Sequence, residues 1–273
     1  MMSVSVEGLP FVDTQMNFSG PIEGRARVDV PDWSRTNMAL EAHDLRIWDA
    51  RPLAARGALS IDREGFTLVA HPTNLTADTD LSASVVAAYL ADVAGFLREL
   101  TRASLVLPQG KGLLKRVNAE GAVGPSRWVH CDYTTPAAHR WVDWIEAWEG
   151  RQLRHYPRFA ILQTWRCLTP PPCDNTLALC DASSLVEDDG IVFDAALRTP
   201  YDEPGNVFES QFSRFNPDQR WYYFSDLQPD ELIVFKGFDS DPARYAQPMH
   251  NSIDLPGTTP RTSVEARFFA FFD

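Results

Sequence analysis

From residue 158 to the C-terminus the chain is written in short strand-type runs, and this pattern restricts its architecture more than any other feature. RFAILQTWR, TLALCDASS, RWYYFSDL, ELIVFKGFD, HNSIDLP and TSVEARFFAFF follow one another between turns rich in Pro, Gly, Asp and Asn. RARVDV, HDLRIW, GALSI and GFTLVA continue the pattern near the start of the chain. Two segments depart from it with helical periodicity. Behind Asp80, Leu81, Val85, Tyr89, Val93, Phe96 and Leu100 recur at helical spacing. Further on, Trp141, Trp144, Ile145 and Trp148 form a second stripe, with Thr135 as cap, Pro136 in the first turn and Gly150 at the end. Each stripe is expected to pack on a sheet. Many short antiparallel strands with two outer helices predict a mainly β chain, a cupin-like jelly roll (double-stranded β-helix) whose mouth holds a small ligand. With no repeat or linker, residues 1–273 are expected to form one such domain, with residues up to about 105 a strand and helix extension packed on the barrel.

Two stretches interrupt the strands. SLVLPQGKGLLKRVNAEGAVGPS (104–126) begins as a strand and becomes a Gly-rich loop, expected to flank the entrance as a mobile segment. Its GKG is no phosphate loop, because the G-x-x-x-x-G-K-[ST] pattern is missing and Gly112 follows Lys111. The second stretch, about 186–216, is loop-rich and a candidate lid.

A formal charge of −12 argues against a nucleic-acid partner, which needs clustered Lys and Arg. MMSVSVEGLPFVDTQMNFSG has no basic region before an apolar run, and no later segment has the apolar length to span a bilayer. The expectation is a cytoplasmic protein without membrane contact. Cys131, Cys167, Cys173 and Cys180 contain no C-x-x-C pair and are expected to be reduced thiols.

Within RWVHCDYTTP, His130 and Asp132 lie two residues apart, so on a strand they share a face while Cys131 points away. His250 follows a strongly apolar strand far downstream and offers a second imidazole. Two histidines and one carboxylate make a facial set that leaves positions of an octahedral iron open for co-substrate and oxygen. In PRTSVEARFFAFF, Arg261, Ser263, Glu265 and Arg267 share one strand face. An oxygenase using 2-oxoglutarate needs a buried cation for the distal carboxylate, and Arg supplies a planar two-pronged donor. Arg261, assisted by the Ser263 hydroxyl, fits that role, with Arg267 as rival. Exposure of this polar face to solvent is the alternative. Tyr222, Gln163 and Arg166 are further candidates to reach the co-substrate, and at most one of Tyr222 and Tyr223 can face inward. Lys236, an unusual charge in an apolar strand, can pair with Asp239 or with a substrate acid. His139 and Asp143, one helical turn apart, are expected to be an exposed pair. His43, His71 and His155 are expected to be structural.

HCDYT, LQTWR with LALCDASS, NPDQRWYYFSDLQPDELIVFKGFDSD, and HNSIDLP followed by PRTSVEARFF resemble the bacterial and fungal hydroxylase/desaturase family of non-haem iron dioxygenases, which takes in cephamycin methoxylation-related and endoperoxide-forming proteins. The likeness runs from about residue 43 to the C-terminus, and the RWYYF to DSD block is its most specific part. It implies a jelly-roll core, Fe(II), 2-oxoglutarate and O2. It also implies metal ligation by His130, Asp132 and His250, carboxylate binding by Arg261 or Arg267, and oxidation of a small molecule in secondary metabolism. Tyr133 departs from the pattern, which is expected to carry a Gln-like or small residue there. Hydroxylation, desaturation and endoperoxidation all fall within the family. The competing readings are a non-catalytic cupin-like subunit serving a partner methyltransferase and an iron oxidase that needs no 2-oxoacid. A homodimer is compatible with either.

Overall fold

The structure is a computed structural model and describes residues 5–29, 32–110, 112–196 and 207–273. Along the chain, β1 (Phe11–Ser19), β2 (Ala26–Asp29) and β3 (Leu40–Asp49) precede a short helix, α1 (Arg51–Ala55). Then come β4 (Phe66–Ala70), α2 (Ala83–Thr101), β5 (Leu105–Pro108), β6 (Leu114–Val117), β7 (His130–Cys131) and α3 (Thr135–Glu149). The remainder is β8 (Arg158–Cys167), β9 (Asn175–Cys180), β10 (Gly190–Ala196), β11 (Val207–Ser213), β12 (Trp221–Tyr223), β13 (Glu231–Asp239), β14 (His250–Asp254) and β15 (Thr262–Phe272).

These strands form two sheets that face each other as the expected jelly roll. One runs β1-β3-β12-β9-β14-β7-β11-β10-β2 and the other β4-β13-β8-β15-β5, with β6 pairing the first half of β15. Period-two alternation divides every central strand between two environments. Trp165, Leu177, Leu179, Tyr222, Ile233 and Phe235 point between the sheets and form the inner core. On the other face of the smaller sheet, Leu162, Val234, Val264 and Phe268 pack under α2. The antiparallel β1–β3 pair at one edge of the larger sheet curls over its middle, placing Met16, Phe18 and Ile47 against Ala178, Cys180 and Ile253.

Both helices form where expected, but each turns a different face inward. The buried stripe of α2 is Val86, Tyr89, Leu90, Val93 and Leu97, while Leu100 is exposed. VVAAYL is apolar nearly all round, so two neighbouring stripes share Tyr89 and Val93, and packing against β15 selects between them. In α3 the cap is Thr134, whose Oγ1 accepts from the Ala137 amide at 3.2 Å, and Gly150 ends the helix at φ 63°. Ala138, Val142 and Ile145 meet Phe159, Phe269 and Phe271, leaving Trp148 58% exposed, so the tryptophan stripe is not this helix's core face.

GALSI is irregular backbone rather than a strand, and FVDTQMNFS, which the sequence pattern did not single out, is β1. The segment 104–126 supplies two strands to β15, so it is not a simple loop, while Lys111 lies outside the described residues. The supposed loop at 186–216 carries the β10–β11 antiparallel pair, and its residues 197–206 lie outside the described part. Among the described residues no helix is long and apolar enough to cross a membrane.

Candidate metal centre and carboxylate pocket

Three adjacent strands of the larger sheet bring the candidate ligands together. His250 of β14 lies directly across from His130 of β7, and β7 pairs on its other side with β11. Asp132 follows β7 by one residue, and its backbone carbonyl accepts from the Ser210 hydroxyl at 2.9 Å. Ligand atoms of His130, Asp132 and His250 all lie within 4.8 Å of one another, and the imidazole centroids are 4.3 Å apart.

The tautomers are set by the backbone. His130 Nδ1 is 2.8 Å from the Trp128 carbonyl and His250 Nδ1 is 3.4 Å from that of Pro248. A carbonyl only accepts, so each Nδ1 carries the proton and each Nε2 lone pair faces the cluster, as a metal ligand requires. Burial pushes both imidazoles down, His250 to about 3, so they are neutral at neutral pH. Asp132 behaves oppositely. Burial opposes its ionisation, but Arg267 and the two imidazoles outweigh that and hold the carboxyl well below the usual range. Arg267 Nε donates to Asp132 Oδ2 at 2.9 Å and Nη2 donates to the same oxygen, leaving Oδ1 toward His130 Nε2 at 3.6 Å.

The cluster opens into a cleft of about 430 Å³, counting the part that meets solvent. Trp165, Leu177 and Phe235 form its apolar wall, while Arg116, Glu265 and Arg267 line its polar side. Arg261 lies at its inner end and is 1% exposed. Its Nη1 donates to Asn175 Oδ1 at 2.9 Å, and its guanidinium carbon sits 5.5 Å from the Trp165 ring centre. Nε and Nη2 of Arg261 and Oγ of Ser263 are buried with no hydrogen-bond partner among the described residues. Burial pulls the guanidinium down to about 10, which still leaves it charged at neutral pH. A buried cation with two idle donors is costly by itself, so this end of the cleft is built for an anion.

The other candidates separate clearly. Arg261, Glu265 and Arg267 all face the cleft, as β15 alternation implies, but Arg267 is engaged by Asp132 and by Gln163 Oε1 at 3.2 Å. Tyr222 points into the inner core beside Phe66 and is not part of the cleft wall. Arg166 faces away under α2, bonded to the carbonyls of His71 and Pro229. Lys236 is bound by Asp239 at 2.6 Å and Asp62 at 2.7 Å, so its partners are internal. His139 packs edge-on against Phe159 and Phe238, and Asp143 pairs with Arg154. His71 has Asp92 at 3.4 Å and Arg166 as neighbours, and His43 stacks on Phe215. All four cysteines are free thiols. Asn175, the partner of Arg261, is a site residue that the sequence reading missed. It stands one residue before TLALC, and parity with Leu177 was the signal available.

The chain is similar over most of its length to several known proteins. A family model described as an oxidoreductase/YMDC permease-like domain matches residues 9–271. The Fe(II)/2-oxoglutarate-dependent dioxygenase nvfI of Aspergillus novofumigatus is 28% identical over 252 residues, covering 88% of this chain and 87% of the relative. The hydroxylase/desaturase CTB9 of Cercospora beticola is 27% identical over 294 residues, covering 97% and 88%. Among solved structures, a single-residue variant of the iron and alpha-ketoglutarate-dependent endoperoxidase NvfI superimposes with a TM-score of 0.81 at 26% identity, covering 96% of this chain and 97% of that one.

Proposed function

We propose, from the premise that this chain belongs to the oxidoreductase/YMDC permease-like family whose model spans residues 9–271, that it is an Fe(II)/2-oxoglutarate-dependent oxygenase of a small organic substrate in secondary metabolism. The observation that carries this reading is one cleft holding both a two-histidine, one-carboxylate cluster and a buried arginine with idle donors. The donor set fits Fe(II): two neutral imidazoles with Nε2 turned inward and one ionised carboxylate with a free oxygen. Four free cysteines suit a reducing cytoplasm.

In this reading His130, Asp132 and His250 hold the metal, and Arg261 with Ser263 takes the distal carboxylate of the co-substrate. When bound, Fe(II) and 2-oxoglutarate supply an oxidant from O2 that removes hydrogen from the substrate, the co-substrate leaving as succinate and CO2. The chain's own work is positional. Backbone carbonyls keep the imidazole protons on Nδ1, and Arg267 keeps Asp132 ionised and oriented. Trp165, Leu177 and Phe235 exclude water from one wall of the cleft. Arg116 and Glu265, joined by a 3.1 Å hydrogen bond, border the side where a substrate would lie.

The test is an anaerobic titration of Fe(II) and then 2-oxoglutarate, which should produce a weak visible charge-transfer band, followed by succinate release on admitting O2. Single replacements of His130, Asp132 or His250 by Ala should each abolish that release. Iron bound without the band would point to an oxidase that uses no 2-oxoacid, and turnover retained in all three variants would sink the assignment.

A further inference from the structure

We propose that Asn175, itself fixed by Asp254, is a positioning residue that aims the Arg261 guanidinium with a neutral acceptor and so keeps its charge available for the distal carboxylate of the co-substrate. The inference rests on the reading of Arg261 given above and concerns what makes that arginine competent.

Asn175 is fully buried on β9, facing Arg261 from the opposite sheet. Its Oδ1 accepts from Arg261 Nη1 at 2.9 Å, and its Nδ2 donates to Asp254 Oδ1 at 3.1 Å. Only one orientation of the amide is compatible with both neighbours. A guanidinium offers nothing but donors and a carboxylate nothing but acceptors, so the flipped amide would face repulsion at both ends. Asp254 is in turn held by Arg127, whose Nη1 lies 2.8 and 3.0 Å from its two oxygens. The chain of contacts therefore runs from a surface ion pair, through one buried amide, to the arginine.

The choice of an amide stands out against the way this protein holds its other cations. Arg267 is met by Asp132, Arg220 by Asp181, and Lys236 and Arg158 by Asp239. Arg166 is buried without an acid, but all three of its nitrogens are bonded. Arg261 has one bond from its guanidinium to a neutral oxygen and two idle nitrogens. The nearby acids are already spent. Asp174 accepts from the Arg261 backbone amide and from Asn118 Nδ2, each at 3.0 Å, and Glu265 accepts from Arg116. A carboxylate at position 175 would fill the gap from within and compete with the ligand.

The decisive experiment swaps the chemistry of the pair while keeping its hydrogen bond. In the double variant N175D/D254N the carboxylate moves next to Arg261 and the amide moves to the surface. Dissociation constants are measured without O2 on the Mn(II)-loaded protein for 2-oxoglutarate and for 2-oxopentanoate, which lacks the distal carboxylate. The expected result is at least a tenfold loss of 2-oxoglutarate affinity, with 2-oxopentanoate and Mn(II) binding within twofold of the parent. The melting temperature of the metal-free variant should be at or above the parent's, because Arg261 gains a counterion. Unchanged 2-oxoglutarate affinity, or equal weakening of both acids, overturns the proposal. Arg261→Gln, run alongside, separates the two levels: if it leaves 2-oxoglutarate affinity intact, the assignment of Arg261 itself fails.

Discussion

Replacing Gly237 by Ala should loosen the metal cluster from behind. Gly237 sits at a register shift between Lys236 and Phe238 in the β13–β8 pairing, with Tyr133 packed against it. A Cβ there would lie 2.6 Å from Tyr133 Cδ2 and 2.8 Å from Cε2. Carbon atoms pack best at about 3.5–4.0 Å, so the ring must retreat by roughly 1 Å. It has little room, being 2% exposed with its hydroxyl donating to Gln109 Oε1. Overpacking of this kind costs about 1–3 kcal/mol. With an unfolding entropy of about 2.1 cal/mol/K per residue over 273 residues, the melting temperature should fall by about 2–5 °C. Because Tyr133 follows Asp132 in the chain, displacement of the ring should also weaken metal binding. Thermal melts of the metal-free protein and Mn(II) titrations read both effects. Tyr133→Leu removes the obstructing ring, so combining it with G237A should cost less than the two single losses added together. An unchanged melting temperature with unchanged Mn(II) affinity, or strict additivity in the double variant, would refute the steric argument.

Arg267→Met should lower metal affinity by roughly 10–100-fold, because Asp132 Oδ2 loses both its donors while the direct ligands stay in place; a Co(II) or Mn(II) titration checks it. Lys236→Met should destabilise the fold by about 2–3 kcal/mol, less than for an isolated buried pair because Asp239 keeps Arg158 at 2.7 and 2.9 Å. The same carboxylate gives an acid limb. Burial would raise Asp239, but Arg158 and Lys236 outweigh it and hold it below its ordinary 3.8. A depressed folded value stabilises above the unfolded one and is lost as pH falls through the lower folded value. The parent should therefore lose this contribution only below about pH 4, and in Lys236→Met acid unfolding should begin at higher pH, as followed by circular dichroism.

How much of this was legible in the chain depends on whether a feature is local. The strand periodicities were: the run of short strands with two outer helices pointed to the jelly roll, and the common face of Arg261, Ser263, Glu265 and Arg267 follows from alternation. The buried faces of α2 and α3 were not. In α2 two apolar stripes compete, and in α3 three tryptophans dominate a face beside the buried one, with Trp141 and Trp144 half-buried and Trp148 exposed. The β10–β11 pair was hidden because DDGIVFDAA and FESQFS lack a regular apolar/polar alternation, and they become strands by pairing with each other.

The choice between Arg261 and Arg267 shows where such reading stops. Arg267 stands on β15 and Arg261 immediately before it with the same alternation, and no local property distinguishes them. What separates them is which partners have already claimed each one. Arg267 is taken by Asp132, distant in sequence and joined only when β15 faces β7 across the barrel. Arg261 meets a neutral amide from β9 while the neighbouring acids are committed elsewhere. A ligand site of this kind is defined by hydrogen-bond capacity left over after the fold has satisfied itself, and that remainder exists only once every long-range partner is in place.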